Sequence, residues 1–350
     1  MMQRFALATL LLAYPALSHA ARFVPLGFLA GGNFSEGKDV SADGSIVVGF
    51  STSTIGGEAF RWTEAGGMVG LGFLSPAAPD SDGWGISADG SIIVGESGGK
   101  AFKWTQSDGM TSLGAGRAVA ASNDGSKIVG FGDVTNGHAV TPDGAVWVGA
   151  SNFGSGQEAF RATSGGVQPL GDVPGFDFAS VALGITPDGS VIVGQSNAFL
   201  DPDGRGFPVE TTVAIRWTES EGMVPIGDLP GGGHGSTATD VSADGSVIVG
   251  WGVSAIDSEA YRWMAATGVR SIRELLLAEG IDTLAMGWTL GQANGVSADG
   301  RIIVGTGVGP GSTNPQAWLV ELPVPEPSSG ALCLVLAALA LGSRKCRRRA

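Results

Sequence analysis

Apolar residues along this chain rarely keep a helical spacing. They come in short runs, such as Ile46-Val47-Val48 and Ile92-Ile93-Val94, or in strict alternation, as in Ala59-Phe60-Arg61-Trp62-Thr63. Runs bounded by turn residues predict strands covered on both faces, and alternation predicts strands with two unlike faces. The turn residues repeat as well. Ser41 to Gly49 reads Ser-Ala-Asp-Gly-Ser-Ile-Val-Val-Gly, and the pattern Ser/Thr-x-Asp-Gly-x-x-Ile/Val/Trp-Val-Gly returns at Ser87, Ser122, Thr141, Thr186, Ser242 and Ser297. Asp-Gly between two apolar runs predicts a hairpin. Pro142 and Pro187, at the second position, place that residue at i+1 of a type I turn. Gly then takes the left-handed position of a one-residue bulge, and the Asp serves its own turn.

Two further motifs follow most copies. One is an alternating strand: Glu58-Ala59-Phe60-Arg61-Trp62-Thr63, Lys100-Ala101-Phe102-Lys103-Trp104-Thr105 and relatives beginning at Glu158, Val213, Glu259 and Gln316. The other is Gly67-Met68-Val69-Gly70-Leu71-Gly72, with counterparts at Gly109, Gly166 and Gly222. With the short strand before each turn, as in Lys38-Asp39-Val40 and Thr239-Asp240-Val241, one unit makes four strands, the content of a β-propeller blade. Successive turn aspartates, Asp43, Asp89, Asp124, Asp143, Asp188, Asp244 and Asp299, lie 45 to 56 residues apart except around Asp124, whose unit lacks the alternating strand. The expectation is an all-β propeller of six four-stranded blades, seven being the alternative count, with the Asp124 unit an extra hairpin or a truncated blade. The last unit, ending at Trp318-Leu319-Val320, lacks its fourth strand, and Arg22-Phe23-Val24-Pro25-Leu26-Gly27 supplies one. The N-terminal strand should therefore close the ring and remove its free edges. Ser271 to Gly280 reads as a short surface helix.

Composition then bounds the chemistry. Of 350 residues 59 are Gly, which suits many tight turns, and 43% are apolar, enough for a core. Residues 1–20 read as a signal peptide: Arg4, the apolar stretch Phe5 to Leu12, and a small-x-small site ending at Ala20. Residues 21–322 are the repeat body, and residues 323–350 a second targeting segment. That segment comprises Pro325-Glu326-Pro327, an apolar stretch from Gly330 to Gly342 and the basic end Arg344 to Arg349. Its apolar stretch of about 13–15 residues makes a short transmembrane helix, with the basic end on the cytoplasmic side and the body outside. Both cysteines, Cys333 and Cys346, lie there, so no disulfide staples the body. The ends hold six of the 20 basic residues but one of the 33 acidic ones, which leaves the body more acidic than the formal net charge of −13. Nucleic acid and anionic membrane are poor partners for such a body.

The tail resembles the PEP-CTERM sorting signal of Gram-negative bacteria. That resemblance implies an exosortase as partner, with the chain membrane-anchored as a precursor and then sorted to the cell surface or matrix. The three body motifs together resemble the HAF family of extracellular repeats, which implies an extracellular repeat protein and no particular activity.

Candidate chemistry is sparse. No His/Cys cluster, Gly-x-Ser-x-Gly elbow or phosphate-binding loop is present. Insertions carrying Asp80-Ser81-Asp82-Gly83 and Asp201-Pro202-Asp203-Gly204 have part of a calcium loop without its full spacing, so Asp80, Asp82, Asp201 and Asp203 are weak calcium candidates and ordinary turns the simpler reading. His138 and His234 stand alone. The repeated Arg61, Lys103, Arg161, Arg216 and Arg262 read as blade-to-blade pairing or a channel lining. Trp62, Trp104, Trp217, Trp263 and Trp318 read as core, or as platforms for sugars. The expectation is no catalytic residue, no cofactor, and a non-enzymatic binding or structural component of the bacterial surface or biofilm matrix, with polysaccharide or surface proteins as partners. The alternative is a polysaccharide-acting enzyme with its site in the propeller channel.

Overall fold

The computed structural model describes residues 20–154, 156–173, 179–200, 209–232 and 235–324. The signal peptide up to residue 19, the sorting tail from Pro325 onward, Asp201, Asp203 and His234 lie outside the described residues. The described chain forms a β-propeller with six four-stranded blades. The first comprises Ser35–Val40, Val47–Thr52, Gly57–Thr63 and Gly67–Gly70, running outward from the centre, all antiparallel. In the sixth, the order is Thr289–Val296, Ile302–Val308, Pro315–Glu321 and then Arg22–Gly27 from the other end of the chain. Phe23 pairs with Val320 and Pro25 with Trp318. The expected closure of the ring is present.

The Asp124 unit is a hairpin within a larger sheet. Gly109–Ala121 runs first as the outer strand of the second blade, beside Lys100–Thr105, then turns inward and pairs with Ile128–Gly132. Its inner half takes a place of its own between the inner strands Ser81–Ile86 and Ala139–Val140. Seven inner strands therefore circle the axis although only six blades are complete.

The repeated turn is held the same way in every copy. Gly44 N–H donates to the Ser41 carbonyl at 2.8 Å, and Ser41 N–H donates to the Ile46 carbonyl at 2.9 Å. The Ser41 hydroxyl accepts from Ile46 N–H (3.0 Å) and donates to Asp43 Oδ1 (2.6 Å), which also accepts Ser45 N–H (2.9 Å). The Ser/Thr, Asp and following amides repeat these bonds in the other six turns. Gly44 has φ +73°, the left-handed conformation that its position requires. The loop is one residue longer than the expected bulge, because the side-chain hydroxyl of Ser41 supplies the acceptor that a strand carbonyl would otherwise offer. The second position does more than set φ. Its N–H stitches turn to turn: Ala243 to Ala298 O, Ala298 to Ala42 O, Ala42 to Ala88 O and Asn123 to Pro142 O, at 2.8–3.0 Å. Between the second blade and the hairpin the link is instead Asp89 N–H to Asn123 Oδ1 (3.1 Å), and at Pro142 and Pro187, which have no N–H, the stitching stops.

The core is divided among the blade interfaces. Val48 and Ala59 of the first blade pack with Ile86, Ile93 and Phe102 of the second, while Phe60 and Trp62 pack with Leu26, Val304 and Leu319 of the sixth. Both faces of a blade are thus covered, as the apolar runs require. Trp62, Trp217 and Trp318 are buried and Trp104 and Trp263 half-buried, so the tryptophans belong to the core. The helix Ile272–Ala278 is more than surface decoration: Ile272 and Leu276 are fully buried against Met264, Trp288 and Trp318.

Candidate functional site

Six of the seven inner strands carry a bulge just before the turn, visible as a register shift between Gly37 and Asp39, Gly83 and Gly85, Ala118 and Ala120, Ala182 and Gly184, Ala238 and Asp240, and Ala293 and Gly295, and His138, next to Ala139, holds the matching place in the seventh. A bulge lets two successive residues face the same side. The result is a central channel of about 460 Å³, lined in part by consecutive residues such as Lys38, Asp39 and Val40 or Thr239, Asp240 and Val241. Along each strand toward its turn the wall is apolar: Val40, Ile86, Ala121, Val140, Ile185, Val241 and Val296, then the alanines and prolines of the turns. Above that belt the repeat breaks down. The bulged position holds Lys38, Trp84, Val119, His138, Leu183, Thr239 and Asn294, a different residue in every unit.

Several of these side chains reach sideways to the next blade. Asn294 Nδ2 donates to Gly37 O at 2.7 Å, Thr239 Oγ1 to Ala293 O at 2.8 Å, and His138 Nδ1 lies 3.0 Å from Ala182 O. Burial pushes the His138 imidazole below its usual range, so it is neutral at pH 7. Lys38 Nζ lies 2.5 Å from Asp82 Oδ2 and 3.7 Å from Glu36 Oε2. Arg117 Nε is 3.0 Å from Glu96 Oε2. Both cations also sit over the Trp84 ring, at 3.6 and 4.3 Å from its centroid. Asp82 Oδ1 and Trp84 Nε1 are buried there without a hydrogen-bond partner.

Two carboxyls stand apart. Asp39 and Asp240 occupy the same place in their units, where the other five have Gly85, Ala120, Ala139, Gly184 and Gly295. Asp39 Oδ1 accepts Val40 N–H (2.7 Å) and Oδ2 accepts Ile86 N–H of the next blade (2.9 Å). Asp240 repeats this with Val241 and Val296, both at 2.8 Å. Among the described residues neither meets a cation within ion-pair distance. Desolvation pushes Asp240 up to about 6. Desolvation, and then the charge of Asp240, push Asp39 up to about 7, against the opposing pull of the two N–H bonds.

A pH prediction follows. A carboxyl raised in the fold binds its proton more tightly there than in the unfolded chain. Its stabilising effect is full below the ordinary aspartate range near pH 4 and is lost as pH rises to 6–7. The turn aspartates act in the opposite sense: Ser and Thr hydroxyls and turn amides hold Asp43, Asp143 and Asp188 low, an effect lost only in acid. Thermal melts should show the midpoint falling between pH 5 and 8, by about 2 kcal/mol of stability, since both channel carboxyls keep some contact with water. Asp39→Ala should flatten that slope; an unchanged slope would refute the assignment.

The candidates read from the sequence fall differently. Asp80 is exposed, and Asp82 is engaged by Lys38, so the pair does not gather a calcium ligand set; among the described residues no group of three or more His, Cys, Asp or Glu could hold a metal ion. The repeated basic residues are absent from the channel wall. Arg216 pairs with Glu221 of its own blade at 2.6 Å, and Arg262 donates to Pro323 O at 3.0 Å. Asp39, Asp240, Lys38, Trp84 and Arg117 were not singled out by motif. Aligning the seven units on their turns exposes them, as the residues that depart from the repeat one to four places before the apolar residue that precedes each turn's Ser or Thr. Among the described residues no helix is long and apolar enough to cross a membrane.

No family model and no curated protein matches the chain. Similar solved structures include TolB from Acinetobacter baumannii (13% identity, TM-score 0.45), of which the chain spans 66%, just under two thirds, with 82% of its own length. An oligogalacturonate lyase from Vibrio parahaemolyticus is similar at 11% identity and TM-score 0.41, over 88% of this chain and 95% of that one. The Dos1 propeller is similar at 8% identity and TM-score 0.38, over 85% and 95%. Likenesses this distant do not bear on chemistry.

Proposed function

We propose that this chain is an exported, surface-sorted propeller of HAF-type repeats that binds a ligand in its central channel, as a non-enzymatic component of the bacterial surface or extracellular matrix. One observation carries the reading. The repeat is kept where the blades are built and abandoned at the bulged positions that face the channel. A wall that served only to hold blades together would be free to repeat like the turns do. The tail, with Pro325, Glu326 and Pro327, supplies the export route: an exosortase substrate, anchored in the inner membrane as a precursor and then delivered outward. Thr239, Asn294 and His138 of the channel wall are already bonded to the next blade, which favours a binding wall over a set of reacting groups.

The test is a glycan array probed with the purified chain, with and without calcium, beside a Val119→Trp variant. Trp is what the second blade already carries at that bulged position, so the variant should fold while narrowing the channel. Binding that falls about tenfold in the variant supports the channel as the site. Binding untouched by it would move the site elsewhere, and turnover of any glycan would favour the enzyme.

A further inference from the structure

The channel has two unlike halves and one uncompensated kind of charge. Its turn-side half is a belt of Val, Ile, Ala and Pro. Its cations, Lys38 and Arg117, are already matched by Asp82, Glu36 and Glu96 outside the wall. The polar neutral groups Thr239, Asn294 and His138 are spent on the next blade. Asp39 and Asp240 are left. They stand at the boundary between the apolar belt and the polar tier, both half-buried and facing the channel. Each oxygen accepts one main-chain N–H and keeps a second lone pair. We propose that the channel takes an amphipathic organic cation, its ammonium group at Asp39 and Asp240 and its apolar body in the belt of Val40, Ile86, Val241 and Val296.

Size and charge agree with this occupant. A volume of about 460 Å³ lies within the range of small-molecule sites. An anion would meet two carboxyls without a counter-ion, and a neutral apolar molecule would leave them unpaired in a poorly solvated place. The sixth-blade inner strand between the two carboxyls, Thr289–Val296, carries no titratable side chain, and neither does Ser180–Ile185 on the other side of Asp240. The groups that can modulate them are Lys38 and Glu36 on the Asp39 strand, Asp82 on the second blade, Arg117 on the hairpin, and His138. The same shift that makes these carboxyls costly to ionise links binding to proton release, because a bound ammonium favours the ionised form.

The inference rests on the channel being the binding site, and its test separates the two claims. Isothermal titration of the purified chain at pH 8 compares hexylammonium, 1-hexanol and hexanoate, three head groups on one tail. Hexylammonium should bind about tenfold more tightly than 1-hexanol, with hexanoate weaker still. The preference should shrink toward one at pH 5, in an arm that needs no variant. Asp39→Asn or Asp240→Asn should each lower hexylammonium affinity about tenfold and leave 1-hexanol unchanged. Glucosamine against glucose, run in the same way, distinguishes an amine carried on a sugar from one on an alkyl chain; preference for either amine over its neutral counterpart upholds the proposal. Equal binding of the three hexyl probes, or a preference indifferent to pH and to both substitutions, overturns the cation and leaves the channel as the site. Absence of binding by every amine also overturns it; the channel reading then stands or falls on whether Val119→Trp abolishes a glycan-array signal.

Discussion

A chain that lacks Arg22–Gly27 should lose its cooperative melt, or melt at least 10 °C lower than the full ring. That strand is the outer member of the sixth blade and adds an antiparallel ladder along Pro315–Glu321. Leu26 is buried with Phe60 and Trp62 of the first blade, so the strand also packs the seam where the ring closes. Phe23 stands edge-on to Trp288 at 5.1 Å, and Arg22 bridges Glu321 (2.7 Å) and Glu64 (2.8 Å), one in each of the two blades that meet there. Burying Leu26 and satisfying the ladder together contribute about 5 kcal/mol, which is roughly 10 °C for a chain of this length. The ion pairs are a minor part, since Arg22 and Glu64 are exposed. A control isolates closure from strand loss. Gly166–Pro169 is also an outer strand, but it is exposed at every position and joins no seam. Its deletion should cost a few degrees only, and a synthetic peptide of residues 22–27 should restore the first lesion. Equal damage from both deletions would show that the ring does not depend on its N-terminal strand.

The closure was legible because it rests on a mismatch between the two ends of one repeat series: Trp318-Leu319-Val320 with no partner, and Arg22 to Gly27 with no blade of its own. The turn was legible for a similar reason, since Ser41, Asp43 and Gly44 satisfy one another within five residues. What local sequence does not carry is how units meet. That Ala42 N–H would stitch to Ala88, or that Pro142 and Pro187 would interrupt the ring, depends on the radial spacing of blades. The hairpin at Asp124 was recognisable as incomplete, but its place among the inner strands comes from the turn at Gly114 and Gly116, where Gly109–Ala121 passes from outer edge to inner wall.

The site was hidden for a different reason. A repeat directs attention to what recurs, and the seven turn aspartates recur; they are bound in their turns. Asp39 and Asp240 recur only twice and sit inside strands, in segments read as the strand before the turn. Their importance depends on the bulge that turns them toward the channel. A bulge has no side-chain signature, and here even glycine marks only some of the copies.

The glycine that ends each repeat leads to the second large effect. Gly305→Ala should cost about 3–5 kcal/mol, or about 6–10 °C in midpoint. A methyl group there would stand 2.0 Å from Gln292 O and 2.5 Å from Trp318 Cζ2. The carbonyl belongs to the inner strand Thr289–Val296, and the Trp318 ring is fully buried between blades, so neither can retreat freely. Moving Gln292 would disturb the neighbouring Asn294, whose amide reaches Gly37 O across the closing seam. The damage should therefore extend to the channel, and ligand binding should weaken along with the melt. Gly67→Ala gives the contrast. Its φ of +66° is strained for alanine, but nothing lies within 4 Å of the added methyl, so it should cost about 1 kcal/mol and leave the channel alone. Thermal melts of the two variants side by side decide the matter. Similar small losses would mean that the inner strands yield to a methyl group, and that the closeness of Gln292 O and Trp318 does not fix the repeat's final glycine.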